Sequence, residues 1–155
     1  MNRKISKIGI DLIKSFEKFI ARPYLDAVGI PTIGWGFTYY PDGKRVTMKD
    51  SPITIEQADL IFTQIFEKDF AKYLPTNVNQ NQFDALGSLI YNIGVGNFLK
   101  SSLLKKVQVN PNDLTIKESF LAWNKATKNG KLIILNGLTI RRNKEAELYF
   151  KPISA

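Results

Sequence analysis

The chain has 155 residues, 44% hydrophobic and 23% charged, a composition that excludes disorder and suits one compact domain or two small lobes. It contains no cysteine and no histidine. That excludes disulfides, thiol nucleophiles, the Ser-His-Asp triad and Cys- or His-built zinc sites, and it leaves acid–base work to Asp, Glu, Lys or Tyr. The net charge of +8 is uneven, with 10 Lys+Arg against 9 Asp+Glu over residues 1–70 and 12 against 5 over residues 71–155.

The N-terminal Met1-Asn2-Arg3-Lys4 is basic, but Lys7, Asp11, Lys14 and Glu17 interrupt the sequence behind it. Neither a signal peptide, a transmembrane segment nor a stable membrane anchor is expected. Ile8, Leu12, Phe16, Phe19 and Ile20 recur at helical spacing and predict a helix over 7–20, ended by Arg22-Pro23. From 24 to 48, four glycines punctuate a stretch rich in Thr, Ile, Tyr and Phe. It reads as a small antiparallel sheet with a turn at Pro41-Asp42-Gly43. Thr54-Ile55-Glu56-Gln57 is a capping box opening a helix of nearly 20 residues that Pro75 closes.

Helices over 80–93 and 101–107 follow, the first broken by Gly94-Val95-Gly96. Thr115-Ile116-Lys117-Glu118 reads as a second capping box. Asn129-Gly130 and Asn136-Gly137 bracket a stretch that, taken alone, also fits a β-hairpin arm. A last helix is expected over 139–150. The fold class is therefore α+β, a small antiparallel sheet followed by helices.

Three residues carry candidate chemistry. Glu17 lies in the row Ile10, Ile13, Glu17, Ile20, at the flank of a buried helical face and near the helix's C-terminal end. Partial burial and the negative end of the helix dipole both disfavour a charged carboxylate there, as a general acid requires. Asp26 lies in a turn-rich segment where it stays ionised, suited to a base. Thr32 offers a hydroxyl that can orient a water, and Gly34 and Gly36 leave one strand face open to a backbone or a ligand. Singly, these residues read as a solvated helix-edge Glu, an Asx-turn Asp and an ordinary strand Thr. Jointly, Glu, Asp nine residues on and Thr six further on, followed by Ile-Gly-aromatic-Gly, are far more specific.

Ser15-Phe16-Glu17-Lys18-Phe19, Tyr24-Leu25-Asp26 and Gly29-Ile30-Pro31-Thr32-Ile33-Gly34-Trp35-Gly36 resemble the active-site signature of the phage-type lysozymes, glycoside hydrolase family twenty-four. Tyr91-Asn92-Ile93-Gly94-Val95-Gly96-Asn97-Phe98, Phe120-Leu121-Ala122-Trp123 and Gly137-Leu138-Thr139-Ile140-Arg141-Arg142-Asn143-Lys144-Glu145 are similar to its second-lobe segments. The resemblance implies a single lysozyme-like domain over 1–155, with an N-terminal lobe about 1–53, a linking helix about 54–74 and a helical lobe about 75–155.

It further implies hydrolysis of the β-1,4 bond between N-acetylmuramic acid and N-acetylglucosamine in peptidoglycan. Glu17 would be the general acid, and Asp26 and Thr32 would position the attacking water, with inversion. Inverting pairs keep their carboxyl groups roughly 6.5–9.5 Å apart. Gly36, Tyr91, Asn92, Ser101 and Arg141 are the implied substrate-side residues, with Arg141 close to Glu17. Trp35 and Trp123 read as core before sugar platform.

Two departures stand out. Phe37 occupies a position where the family often has His, and the 37–52 hairpin is long. No cofactor or metal is implied. The expected partner is bacterial peptidoglycan, reached by a monomer that accumulates in the host cytoplasm and leaves through a holin-type pore. An injected effector lysozyme and a non-catalytic wall-binding module remain alternatives. Nucleic acid is disfavoured, because no Lys/Arg-dense run with interleaved aromatics is present.

Overall fold

The computed structural model describes residues 3–153; Met1 and Asn2 of the basic N-terminus lie outside the described residues. The chain divides into two compact units, one of residues Asp11–Asp69 and the other of residues up to Ile10 with those from Phe70 onward. Among the described residues, strands are confined to two short antiparallel pairs among the helices, as the α+β reading requires.

Helix α1, Lys7–Glu17, is shorter than its apolar periodicity predicts. Lys18 turns left-handed at φ 56 while its N–H still bonds the Lys14 carbonyl, a C-terminal stop made by a lysine where glycine is usual. The conformation costs about 1–2 kcal/mol in a non-glycine residue. Chain direction reverses there, five residues before Pro23, so the proline does not end the helix. It lies instead within strand β1, Ile20–Leu25. Strand β2, Pro31–Gly34, pairs with β1 through Ile20↔Gly34 and Tyr24↔Thr32, and the register slips between them. Pro23 sits in that bulged stretch, where a missing N–H breaks no ladder bond.

Beyond Gly34 the expected sheet reduces to isolated bridges, Ile33↔Phe37 and Tyr39↔Arg45. The Pro41-Asp42-Gly43 turn forms as read: Gly43 takes φ 88 and the Tyr40 N–H bonds the Lys44 carbonyl at 2.9 Å. The arm is tied to the end of helix α2, Ile55–Asp69. Tyr39 donates to Asp69 at 2.9 Å, and the Lys68 ammonium donates to the Pro41 carbonyl at 2.9 Å. Burial, with Asp69 as hydrogen-bond partner and charge, pushes the Tyr39 phenol up to about 12. The Thr54 capping box is reciprocal, with Gln57 N–H on the Thr54 hydroxyl at 3.1 Å and Thr54 N–H on the Gln57 amide at 2.8 Å. Helix α2 stops at Asp69, before the predicted end, and a single 3-10 turn covers Ala71–Tyr73.

In the other unit, helix α3, Gln80–Ile93, is buried almost all round and serves as its core. Asn79 and Gln82 form a capping box at its start. Near that start, Asp84 accepts hydrogen bonds from the backbone and hydroxyl of Ser6 and from Gln80. Gly94, at φ 89, ends α3, and helix α4, Val95–Lys100, begins at once, so only one residue of Gly94-Val95-Gly96 breaks the helix. Helix α5, Ser102–Val109, is followed by α6, Ile116–Leu121.

The second predicted capping box does not form. Thr115 is itself held by Asp113, which accepts from its N–H at 2.9 Å and its hydroxyl at 2.7 Å, so the hydroxyl caps nothing. Strands β3, Lys125–Lys128, and β4, Lys131–Ile134, make a hairpin, so the second half is not purely helical. Asn129 at φ 53 and Gly130 at φ 76 supply the two left-handed residues of a type I′ turn. Helix α7, Asn136–Tyr149, starts earlier than its periodicity suggests. No helix among the described residues is long and apolar enough to cross a membrane.

Candidate active site

Glu17 is the last residue of α1, half-buried, immediately before the left-handed Lys18. The chain reverses there and runs into β1, and the next strand delivers the glycine-rich turn to the same place. At Gly36, φ +86, an added Cβ would lie 2.6 Å from a Glu17 carboxylate oxygen. Position 36 therefore tolerates no side chain on two grounds: the backbone is left-handed and the space belongs to the Glu17 carboxyl. This close approach is why the aromatic-Gly pattern follows Thr32.

Asp26 and Thr32 are coupled through one residue, Ile30. The Ile30 N–H donates to Asp26 Oδ1 at 2.9 Å, as does the Val28 N–H at 2.9 Å. The Ile30 carbonyl accepts the Thr32 hydroxyl at 2.8 Å and the Asp26 N–H at 3.0 Å. The Asx-turn and the functional reading of Asp26 are thus compatible. One carboxylate oxygen shapes the loop, and no donor among the described residues takes the other. The hydroxyl of Thr32, 3% exposed, spends its proton on Ile30 and keeps its acceptor capacity.

Tyr24 is a member of this group that the sequence reading quoted but did not assign. It stands directly across the strand pair from Thr32, and cross-strand partners share a face. Its phenol is pushed up by burial first, then by the negative charges of Glu17 and Asp26, which places it within the field of both carboxylates. The signal was available: Tyr24 and Asp26 are two apart, the spacing of one strand face.

A brace lies under the group. Trp35, 7% exposed, is core as expected. Its indole N–H donates to Asp59 at 2.8 Å, and the same oxygen pairs with the Lys14 ammonium at 2.7 Å. Lys14 also lies 5.1 Å from the indole centroid. Burial alone would raise the Asp59 carboxyl, but hydrogen bonds from Lys14 and Trp35 outweigh it and hold it below the usual carboxylate value. Phe37 packs on Gly34, where an added Cβ would meet the ring at 2.4 Å. The residue in the usual His position therefore fills apolar space.

The remaining sequence candidates lie in the helical unit. Tyr91 is half-buried with its ring 5.4 Å from that of Phe70. The exposed Asn92 accepts from Arg142 at 2.8 Å. Ser101, 4% exposed, caps α5 through the Leu104 N–H and donates to the Phe98 carbonyl. Arg141, buried, meets Glu145 at 3.2 Å and the Ser88 carbonyl at 3.1 Å. Arg142 approaches Glu145 at 2.7 Å, and Ser88 donates to Glu145 at 2.5 Å. Burial pushes the Glu145 carboxyl up, opposed by the two guanidiniums and Ser88. Among the described residues no group of carboxylates is arranged to hold a metal ion.

Residues 14–145 match the family model described as phage lysozyme. The endolysin of Salmonella phage P22 is 34% identical over 149 residues, covering 94% of this chain and 97% of its own length. The structure of an endolysin from Escherichia coli O157:H7 phage FAHEc1 superposes with a TM-score of 0.86 at 37% identity, covering 99% of this chain and 97% of that one. The muramidase domain of SpmX from Asticaccaulis excentricus superposes with a TM-score of 0.78 at 31% identity, covering 97% of this chain and 99% of that one.

Proposed function

The chain belongs to the phage lysozyme family and is a glycoside hydrolase acting on peptidoglycan, and we propose that it does so by single displacement, with Glu17 as general acid and a water held by Asp26 and Thr32 as nucleophile. One observation carries the reading: the free oxygen of Asp26 and the hydroxyl oxygen of Thr32 are both unfilled acceptors, coupled through Ile30. A water donating its two protons to two such acceptors turns its lone pairs away from them, toward an incoming anomeric carbon. Asp26 then removes a proton as the C–O bond forms, and Glu17 gives its proton to the departing sugar oxygen. A direct displacement by water inverts the anomeric centre.

The bond cleaved is the β-1,4 linkage between N-acetylmuramic acid and N-acetylglucosamine. Gly36 keeps the Glu17 carboxyl in place by having no side chain. Tyr91, Asn92, Ser101 and Arg141 act on the substrate side, Ser101 and Arg141 through the backbone and helices they fix. The net charge of +8 draws the protein to the anionic wall. It works as a monomer, reaches the wall from the host cytoplasm through a holin-type pore and lyses the host. The likeness to the phage P22 endolysin supports that setting.

Product analysis of digested wall tests the chemistry. New reducing muramic acid ends, initially of α configuration, are expected; anhydro ends or a β product would overturn it. Glu17→Gln is expected to fold normally and to lower wall lysis by about 10³-fold, the worth of a positioned proton donor.

A further inference from the structure

The β3–β4 hairpin turns an apolar side to solvent. In its register Lys125 faces Ile134 and Thr127 faces Leu132, and these four share one face. Ala126 with Ile133, and Lys128 with Lys131, share the other. Ala126 and Ile133 are half-buried, so their face is the covered one. The opposite face is open, with Leu132 67% and Ile134 64% exposed. A strand meeting only water carries polar residues on its outer face, and here β4 does the reverse.

The charge around this apolar pair has one sign. Residues 124–135, the hairpin and its flanks, contain Lys125, Lys128 and Lys131 and no Asp or Glu. Lys128 and Lys131 stand directly opposite each other at the tip, a like-charge pairing that opposes the hairpin. Among the described residues no acidic side chain pairs with Lys125, Lys128 or Lys131. A second copy of the chain would bring two such sets of lysines together and compound the repulsion. A bare polysaccharide would leave Leu132 and Ile134 without apolar contact. An anionic bilayer relieves both, since aliphatic side chains enter the acyl boundary while lysine stems reach back to phosphates.

We propose that the β3–β4 hairpin docks reversibly on an anionic phospholipid surface, Leu132 and Ile134 entering it, Lys125 on the same face meeting its headgroups, and Lys128 and Lys131, exposed at the tip on the other face, reaching round to them on their long stems. This activity is separate from glycan cleavage. It would hold the enzyme at the membrane that bounds the wall.

Co-sedimentation of the full chain at low ionic strength with phosphatidylglycerol–phosphatidylcholine vesicles, against pure phosphatidylcholine, tests it. Wild type is expected to bind only the anionic vesicles. Lys128→Glu/Lys131→Glu should weaken binding roughly fivefold or more per lysine, the worth of one cation near an anionic leaflet. Leu132→Asn/Ile134→Asn should weaken it several-fold while circular dichroism and lysis of isolated, lipid-free wall stay unchanged. Undiminished binding of either folded double variant, or equal binding of wild type to neutral vesicles, would overturn the proposal. So would a wild-type dimer dissolved by Leu132→Asn/Ile134→Asn, which would make a second copy the occupant. Loss of lipid-free wall lysis in that variant would assign the hairpin to the wall instead.

Discussion

The molecule holds two clusters of charged side chains, and they are built in opposite ways. Glu17 and Asp26 sit at the ends of short elements, half-buried, on turns made by left-handed residues. Arg141, Arg142 and Glu145 sit inside α7 against α3, with Arg142 and Glu145 fully buried. In the buried cluster the charges answer one another: two guanidiniums and a hydroxyl surround one carboxylate. In the half-exposed group, an Asp26 oxygen and the Thr32 hydroxyl keep acceptor capacity for something outside the protein. The compensated charge of Glu145 holds structure, whereas the open oxygen of Asp26 is available for chemistry.

Removing one member from each cluster sharpens that contrast. Glu145→Gln takes the Glu145 charge away from two buried guanidiniums and is expected to destabilise the chain by about 3–5 kcal/mol, a Tm fall on the order of 10 °C in calorimetry. The fall expected for Glu17→Gln is slight, and comparable Tm losses for the two would break the distinction. Gly36→Ala should act mainly on rate. The new methyl displaces the Glu17 carboxyl, and a misplacement near 1 Å costs on the order of 10²-fold in kcat. An active Gly36→Ala enzyme would show that the carboxyl is not held where the glycine leaves room.

The two Thr-x-x-Glu/Gln motifs offer a smaller test. Thr54→Ala should cost about 1 kcal/mol in urea unfolding, because its hydroxyl caps α2. Thr115→Ala should cost less, since that hydroxyl serves only Asp113.

The smallest effect is in the pH dependence. Asp59 is held below the usual carboxylate value in the folded chain, so the unfolded chain binds its proton more readily. Its contribution is present above about pH 4 and is lost as pH falls through the depressed folded value. Asp59→Asn should therefore lower stability at neutral pH and converge with wild type in acid below the depressed folded value. A gap that persists in acid would mean that the Asp59 brace does not depend on its charge.

Part of the candidate site was legible because glycine positions report backbone geometry directly, whereas Pro23 misled, lying in a bulged strand instead of ending a helix. Gly36 marks a close approach, and Asn129-Gly130 marks a type I′ turn. The end of α1 was illegible because a lysine adopts the left-handed conformation there, and no residue preference signals it. The Thr115 box failed because Asp113, two residues upstream, competes for the same N–H. Helix α7 was read as starting late because Asn136-Gly137 carries the composition of a turn, whereas both residues lie in its first turn. The long arm's attachment was hidden because it is made by Tyr39 and Lys68 reaching a carboxylate and a carbonyl.

The ring of Phe37 lying on Gly34 ties those two positions together. Any larger residue at 34 evicts the ring, and any smaller or polar residue at 37 leaves a hole beside the strand that carries Thr32. Position 34 is bound twice over, because its φ of +67 strains any side chain whatever the space. A library at 34 would return glycine even when 37 varies with it, whereas a library at 37 would return only side chains that fill the same apolar hollow.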